Sequence, residues 1–187
     1  MPHLNIEIKA RLRDRDFPGP DGHAGFIRDY LNAQGAEFRG TDEQTDTYFN
    51  VAAGRLKLRE GNIENNLIYY ERADREGPKS SEFTLVKVAD PVGLKTVLSR
   101  SVGIKTIVRK TREIYYIGNV KFHIDKVPGL GSFTEIEAGN LAGSQSKEEL
   151  QAQCEHYLNE FRIEAADLVP GSYSDMLDFS SLEDNGS

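Results

Sequence analysis

The chain has 187 residues, a formal net charge of −7 and 28% charged residues, which is length enough for one domain with its own core and the wrong sign for a general nucleic-acid binder. A single cysteine, Cys154, excludes an internal disulfide framework and fits a reducing cytoplasm. No apolar run nears membrane-spanning length and Met1–Arg15 is too charged for a signal peptide, so a soluble, cytoplasmic protein with no membrane partner is expected.

His3–Arg13 alternates strictly, with Leu4, Ile6, Ile8, Ala10 and Leu12 on one side and Asn5, Glu7, Lys9 and Arg11 on the other, the period of a strand. Asp14–Asp21, with Pro18, Gly19 and Pro20, breaks it. Gly22–Ala36 carries Phe26, Ile27, Tyr30, Leu31 and Ala33 at helical spacing and closes at Gly35. Strands follow over Gln44–Val51, Arg55–Glu60 and Leu67–Ala73, with turns at Ala52–Gly54 and Gly61–Asn66; Arg75–Ser80 reads as a loop. The same grammar then repeats: strand Glu82–Val88, helix Pro91–Ser101, long strand Ile104–Tyr116, strand Val120–Lys126 and a further strand through Glu137. Each half reads strand, helix, strand, strand, strand, a repeat of architecture rather than of residues. Ser146–Phe161 is an amphipathic helix with Ser146 and Glu149 as a capping box and Leu150, Cys154, Tyr157, Leu158 and Phe161 as its stripe. A short helix around Ala165–Asp167 and a segment Ser172–Phe179 complete a single domain of residues 1–179, and Ser180–Ser187 is expected to be a frayed, disordered tail.

Eight strands joined mostly by short hairpins point to an α+β fold, an eight-stranded antiparallel β-barrel with helices packed on the outside. The alternation also sorts charge. Glu7, Asp125, Glu135 and Glu137 fall on polar strand faces, as do Lys9, Arg11, Lys57, Arg59, Arg72, Lys110 and Arg112, whereas the opposite faces are apolar and need the cover that helices at 22–36, 91–101 and 146–161 can give. A charged lumen would be costly if empty, but it suits a polyanion with its metal ions. Arg and Lys bind phosphate oxygens, and carboxylates bind Mg²⁺ or Mn²⁺ that bridges to phosphate. Basic residues from several strands suggest a ligand as long as a triphosphate.

The ordered motifs Asn5-Ile-Glu-Ile-Lys9, Gln44-Thr-Asp-Thr-Tyr-Phe49, Arg55-Leu-Lys-Leu-Arg59, Tyr70-Glu-Arg72, Lys110-Thr-Arg112 and Asp125…Gly129-Leu-Gly-Ser-Phe…Glu135-Ile-Glu137 resemble the CYTH, or triphosphate tunnel metalloenzyme, superfamily over roughly Leu4–Leu177. That group includes class IV adenylyl cyclases, thiamine triphosphatases and inorganic triphosphatases, and the last motif looks most like the cyclase branch. The resemblance implies a tunnel in which Glu7, Asp125, Glu135 and Glu137 hold Mg²⁺ or Mn²⁺. Lys9, Lys57, Arg59, Arg72, Lys110 and Arg112 would clamp the triphosphate, with Arg11 toward the tunnel mouth; Glu7, Lys9 and Arg59 would be catalytic. It also admits a homodimer. Asn5 stands where the family signature has its first glutamate, so one cation site is expected to be weaker.

The expected chemistry is conversion of ATP to cyclic AMP and pyrophosphate; a triphosphatase, or a catalytically weak nucleotide- or polyphosphate-binding protein, fits the same residues. Several side chains carry two readings. His123 is a wall histidine or a ligand, Asp46 a structural acceptor or a metal partner, and Tyr48 and Tyr70 wall or base-stacking residues. Lys87, Arg55 and Arg109 sit in strands whose register the pattern leaves open, Cys154 reads as core packing, and Ser172-Tyr173 as a docking contact for the tail.

Overall fold

The computed structural model describes residues 4–71, 79–140 and 145–177. Its strands are β1 (Asn5–Arg11), β2 (Glu37–Phe49), β3 (Arg55–Glu60), β4 (Asn66–Glu71), β5 (Lys79–Lys87), β6 (Ile104–Ile117), β7 (Val120–Val127) and β8 (Gly131–Gly139). The helices are α1 (Gly22–Ala33), α2 (Pro91–Ser101) and α3 (Lys147–Glu160). All the strand pairings are antiparallel and the sheet closes in the order β1-β5-β4-β3-β2-β6-β7-β8. Exchanging β1 with β5, β2 with β6, β3 with β7 and β4 with β8 returns the same ring, so the repeat read from the sequence is a pseudo-two-fold of the barrel. The expected tail, Ser180–Ser187, lies outside the described residues.

Alternation decides what faces in. Ile6 and Ile8 of β1, Phe122 and Ile124 of β7, and Ile136 of β8 point outward and are buried with Ile27 and Leu31 of α1 and Leu150, Cys154 and Phe161 of the α3 region. Burying five such large side chains is worth on the order of 10 kcal/mol before entropy is charged against it. α3 starts where expected: Ser146 Oγ accepts from the Glu149 N–H at 3.2 Å, and the Glu149 carboxylate accepts from the Ser146 N–H at 2.6 Å. The β7–β8 turn needs its glycines, since Gly129 has φ 81 and Gly131 φ 105.

Three expectations are corrected. The second strand begins at Glu37, well before Gln44, because the long β6 pairs with it from end to end; its first residues are exposed and, Phe38 apart, not apolar, so no alternation marked them. The first helix stops at Ala33 rather than Ala36. α2 does not jacket the barrel as α1 and α3 do. None of its described residues is buried, Val92 and Val97 remain 68% and 61% exposed, and its ties to the sheet include a Lys95–Glu60 ion pair at 2.8 Å. The outer core is therefore one-sided, thick over β1, β7 and β8.

A second cluster plugs one end of the bore. Tyr48, Val108, Val127 and Phe133 point inward there, and Tyr173 from the tail closes over them, its ring 5.0 Å from Phe133. Ala10 and Lys9 of β1 hold the tail through a bridge to Leu168 and a 2.9 Å bond from the Val169 N–H.

His23 at the start of α1 is fully buried and its tautomer follows from its partners. Nδ1 accepts from the Arg13 N–H at 3.2 Å, so Nε2 carries the proton and donates to the Phe161 carbonyl at 2.6 Å. Burial, with the nearby Arg13 charge, pushes its pKa below the ordinary 6.5. A depressed histidine pKa stabilises the fold fully above the unfolded value and progressively less as pH falls through it. Urea titrations are expected to show stability falling from about pH 6.5 downward, at up to about 1.4 kcal/mol per pH unit for one proton. His23→Gln should remove one proton's share of that slope while the buried His123, depressed in the same way, keeps its own; an unchanged slope would contradict the assignment.

Candidate active site

Inside the barrel is a cavity of about 950 Å³ whose lining combines two chemistries. One wall is ionic, with Glu7 and Lys9 of β1, Lys57 and Arg59 of β3, Lys110 and Arg112 of β6, Lys121 and His123 of β7, and Glu135 and Glu137 of β8. The other is apolar, contributed by Ile63, by Ile68 and Tyr70 of β4, and by Phe83 and Leu85 of β5. The split follows from sequence: the inward positions of β4 and β5 carry large apolar groups except at the end where Asn66 pairs with Lys87, whereas those of β1, β3, β6, β7 and β8 carry most of the charge, with Ile114 and Tyr116 of β6 as apolar exceptions.

The charges pair in layers. Arg112, whose side chain is 2% exposed, donates from Nε to Asp125 Oδ1 at 2.6 Å, from Nη2 to Asp125 Oδ2, and from Nη2 to Glu135 Oε2 at 2.8 Å. Tyr173 Oη also donates to Asp125 Oδ2, at 2.7 Å. Burial works against the Asp125 charge, but Arg112 holds its carboxyl below the usual range. Lys9 bridges to Glu135 at 3.1 Å and lies 3.9 Å over the Tyr173 ring.

On the other side Asp46 is the hub. It accepts from Arg59 Nε and Nη2 at 2.8 and 2.9 Å, from Lys57 at 3.0 Å and from Lys110 at 3.3 Å. Burial opposes its ionisation, yet Arg59, Lys110 and Lys57 together keep it well below the ordinary carboxylate range. Lys110 has less help: burial and the neighbouring Arg112 outweigh Asp46 and lower its pKa to about 7.

Among the described residues, His123, Glu135 and Glu137 form a group able to hold a metal ion, with ligand atoms within 4.8 Å of one another. His123 Nδ1 lies 3.2 Å from Glu135 Oε2 and 3.7 Å from Glu137 Oε1. Burial, Arg112 and Lys121 push the imidazole down to about 3, so it is neutral and can ligate. Glu137 is raised to about 7 by burial and, against Lys121, by the adjacent charges of Glu135 and Glu7. Glu7 stands opposite Glu137 in the β1–β8 register. A carboxylate forced toward neutrality by its neighbours is one a divalent cation would return to charge, and an oxygen-rich donor set suits Mg²⁺ or Mn²⁺. The residues therefore fit a divalent cation.

Most predicted site residues line this cavity: Glu7, Lys9, Lys57, Arg59, Lys110, Arg112, Glu135 and Glu137. Two lie elsewhere. Arg11 is exposed past the plugged end, stacked 4.7 Å from the Phe133 ring and donating to the Leu130 carbonyl at 2.5 Å, because β1 has by then run beyond the cavity. Asp125 is not in the His123–Glu135–Glu137 group, its oxygens being occupied by Arg112 and Tyr173. Arg72 lies outside the described residues. Tyr173 is indeed the tail's docking contact. Lys121 and Glu64 were missed: Lys121 shares the His123 face and alternation could have found it, whereas Glu64 sits in a turn with no period to betray it.

Comparison with known proteins gives concordant results. The family model described as the CYTH domain matches residues 3–173. A Methanocaldococcus jannaschii protein described as a candidate adenylate cyclase is 26% identical over 186 residues, covering 92% of this chain and 98% of the relative. The PH1012 protein of Pyrococcus horikoshii superposes with a TM-score of 0.74 at 24% identity, over 91% of this chain and 98% of that one. A candidate adenylate cyclase from Vibrio parahaemolyticus superposes at 0.70 with 15% identity, over 95% and 99%. At these identities the two structures speak to the fold. No helix among the described residues is long and apolar enough to cross a membrane.

Proposed function

The chain belongs to the CYTH domain family, and on that premise we propose that it is a divalent-metal-dependent enzyme acting on an organic triphosphate, of class IV adenylyl cyclase type, converting ATP to cyclic AMP and pyrophosphate. The observation that carries this reading is the two-sided cavity. A purely inorganic polyphosphate has no use for the wall of Ile68, Phe83 and Leu85, which suits a base or other apolar group attached to the phosphates. The name of the Methanocaldococcus relative points the same way.

In this reading Lys9, Lys57, Lys110 and Arg112 bind phosphate oxygens, and Arg59 supports them through Asp46. Asp125, which would otherwise be a metal ligand, positions the Arg112 guanidinium. Glu135, Glu137 and Glu7 would hold the divalent cation, with His123 beside them. Bound there, a divalent cation supplies Lewis acidity and charge neutralisation to the phosphate chain. The ribose 3′-hydroxyl loses its proton as its oxygen bonds to the α-phosphorus and the bond from that phosphorus to the bridging oxygen breaks; the proton ends on the departing pyrophosphate, whose remaining negative charge the lysines and Arg112 stabilise. The apolar wall excludes competing water.

Incubation with ATP and Mg²⁺ or Mn²⁺, followed by chromatographic identification of products, is expected to yield cyclic AMP and pyrophosphate, with loss of at least 100-fold in Glu135→Gln. Orthophosphate as the sole product, from ATP or tripolyphosphate, would make the protein a triphosphatase instead.

A further inference from the structure

Among the described residues, the cavity contains one carboxylate, Glu64, that belongs neither to the metal group nor to the Asp46 hub. Glu64 sits in the turn between β3 and β4, and that turn is built to aim it. Both oxygens of the buried Asp42 accept from it, from the Ile63 N–H at 2.9 Å and the Glu64 N–H at 3.0 Å. Asn65 closes the turn on Gly61, its Oδ1 accepting from the Gly61 N–H at 3.2 Å and its Nδ2 donating to the Gly61 carbonyl at 2.9 Å. Gly61 is required there, because a Cβ would come within 2.5 Å of Asp42 Oδ1. Gln44 Nε2 donates to Asp42 at 2.8 Å and to Glu64 at 3.2 Å, tying the turn to β2.

The Glu64 carboxylate then accepts from Arg59 Nη1 at 2.9 Å and from Lys121 Nζ at 2.7 Å. β3 and β7 are separated around the ring by β2 and β6, so this bridge runs across the bore rather than along a wall. It occupies the position from which a phosphate would otherwise link those two cations. Ile63, its neighbour in the turn, belongs to the apolar wall, which sets Glu64 at the seam between the two halves of the cavity.

We propose that Glu64 is a specificity-determining residue: a fixed internal anion that withholds Arg59 and Lys121 from phosphate and offers its acceptor oxygens to a hydroxyl or amino donor on the organic part of the substrate. The inference rests on the organic-triphosphate reading and deepens it. A fixed negative charge repels another phosphate at that point, and a positioned acceptor rewards a ligand that brings a donor there. Polyphosphates without an organic group meet only the repulsion.

The test is the pair of dissociation constants for ATP and tripolyphosphate, measured calorimetrically without divalent metal so that no turnover intervenes. In Glu64→Gln, tripolyphosphate is expected to bind at least tenfold tighter while ATP gains much less, so the preference for ATP falls at least tenfold. Glu64→Asp, which keeps the charge but withdraws the acceptor, is expected to leave tripolyphosphate binding unchanged and weaken ATP. ATP analogues lacking the ribose hydroxyls or the amino group identify the donor: the one whose loss matters in wild type should make no difference in Glu64→Asp. Equal shifts for both ligands, as a merely structural or field effect would give, overturn the proposal while leaving the functional reading intact. If the wild-type protein neither binds these ligands nor forms product from ATP with Mg²⁺ or Mn²⁺, the functional reading fails and this inference falls with it; turnover of ATP with no measurable metal-free binding of either ligand would overturn this inference alone.

Discussion

Replacing Asp125 by alanine is expected to lower the unfolding free energy by about 3–5 kcal/mol, the cost of removing one partner from a buried ion pair. The pair is as enclosed as any among the described residues: the Arg112 side chain is 2% exposed and the Asp125 side chain 0%. Alanine leaves the guanidinium with Glu135 alone and strips Tyr173 of its acceptor, so the tail loses an anchor as well. Asp125→Asn keeps an acceptor for both groups and should lose roughly half as much. Guanidinium titrations of the three proteins give the comparison; a loss below about 1 kcal/mol for the alanine variant would show that Arg112 finds solvent or another anion.

Triphosphate binding is expected to weaken about tenfold for each pH unit above 7 and to take up protons as it occurs. The cause is Lys110, held near pKa 7 by burial and by Arg112 in the absence of a ligand. An anion favours the ammonium form, so binding raises the pKa; below 7 the charge is already present, and above it a proton must be acquired first. Calorimetry of tripolyphosphate binding without metal, in buffers of different ionisation enthalpy, should give an uptake of about half a proton at pH 7 and close to one at pH 9. Lys110→Arg, always charged, should remove the share of the pH dependence that Lys110 causes, leaving the part due to Glu137, whose carboxyl also titrates at about 7 in the metal-free cavity. A wild-type affinity that is flat between pH 7 and 9 would contradict the assignment.

How much of this was legible beforehand depends on which residues one asks about. The inward set on β1, β7 and β8 was readable because those strands alternate cleanly and their apolar sides are large; Glu7, Lys9, Glu135 and Glu137 follow from that alone. Arg11 shows the limit, since alternation gives the side of a strand and not how far along it the cavity ends. The N-terminal part of β2 was invisible because a lone exposed Phe38 among Glu37, Arg39, Thr41 and Asp42 makes no alternation, and with it went Asp42, the residue that shapes the turn bearing Glu64. Asp125 was read as a ligand because carboxylates on one face look alike in sequence; only the position of Arg112 across the β6–β7 ladder separates its part from that of Glu135. The hub formed by Asp46 depends on three cations arriving from two strands, a convergence no local pattern encodes.

The uneven outer cover gives the barrel a stiff flank and a yielding one. Glu7, Lys9, Lys121, Glu135 and Glu137 stand on strands β1, β7 and β8, packed against α1 and α3, whereas β3, which bears Lys57 and Arg59, has at its back the shallow α2, and Val86 of β5 is still 53% exposed. Breathing motions should concentrate in that lightly backed wall. Ligands with organic groups of different width could then be admitted by flexing Phe83 and Leu85 outward, without disturbing the spacing of the charges opposite. A tunnel made this way would tolerate drift in what it accepts while its reactive side stays constant.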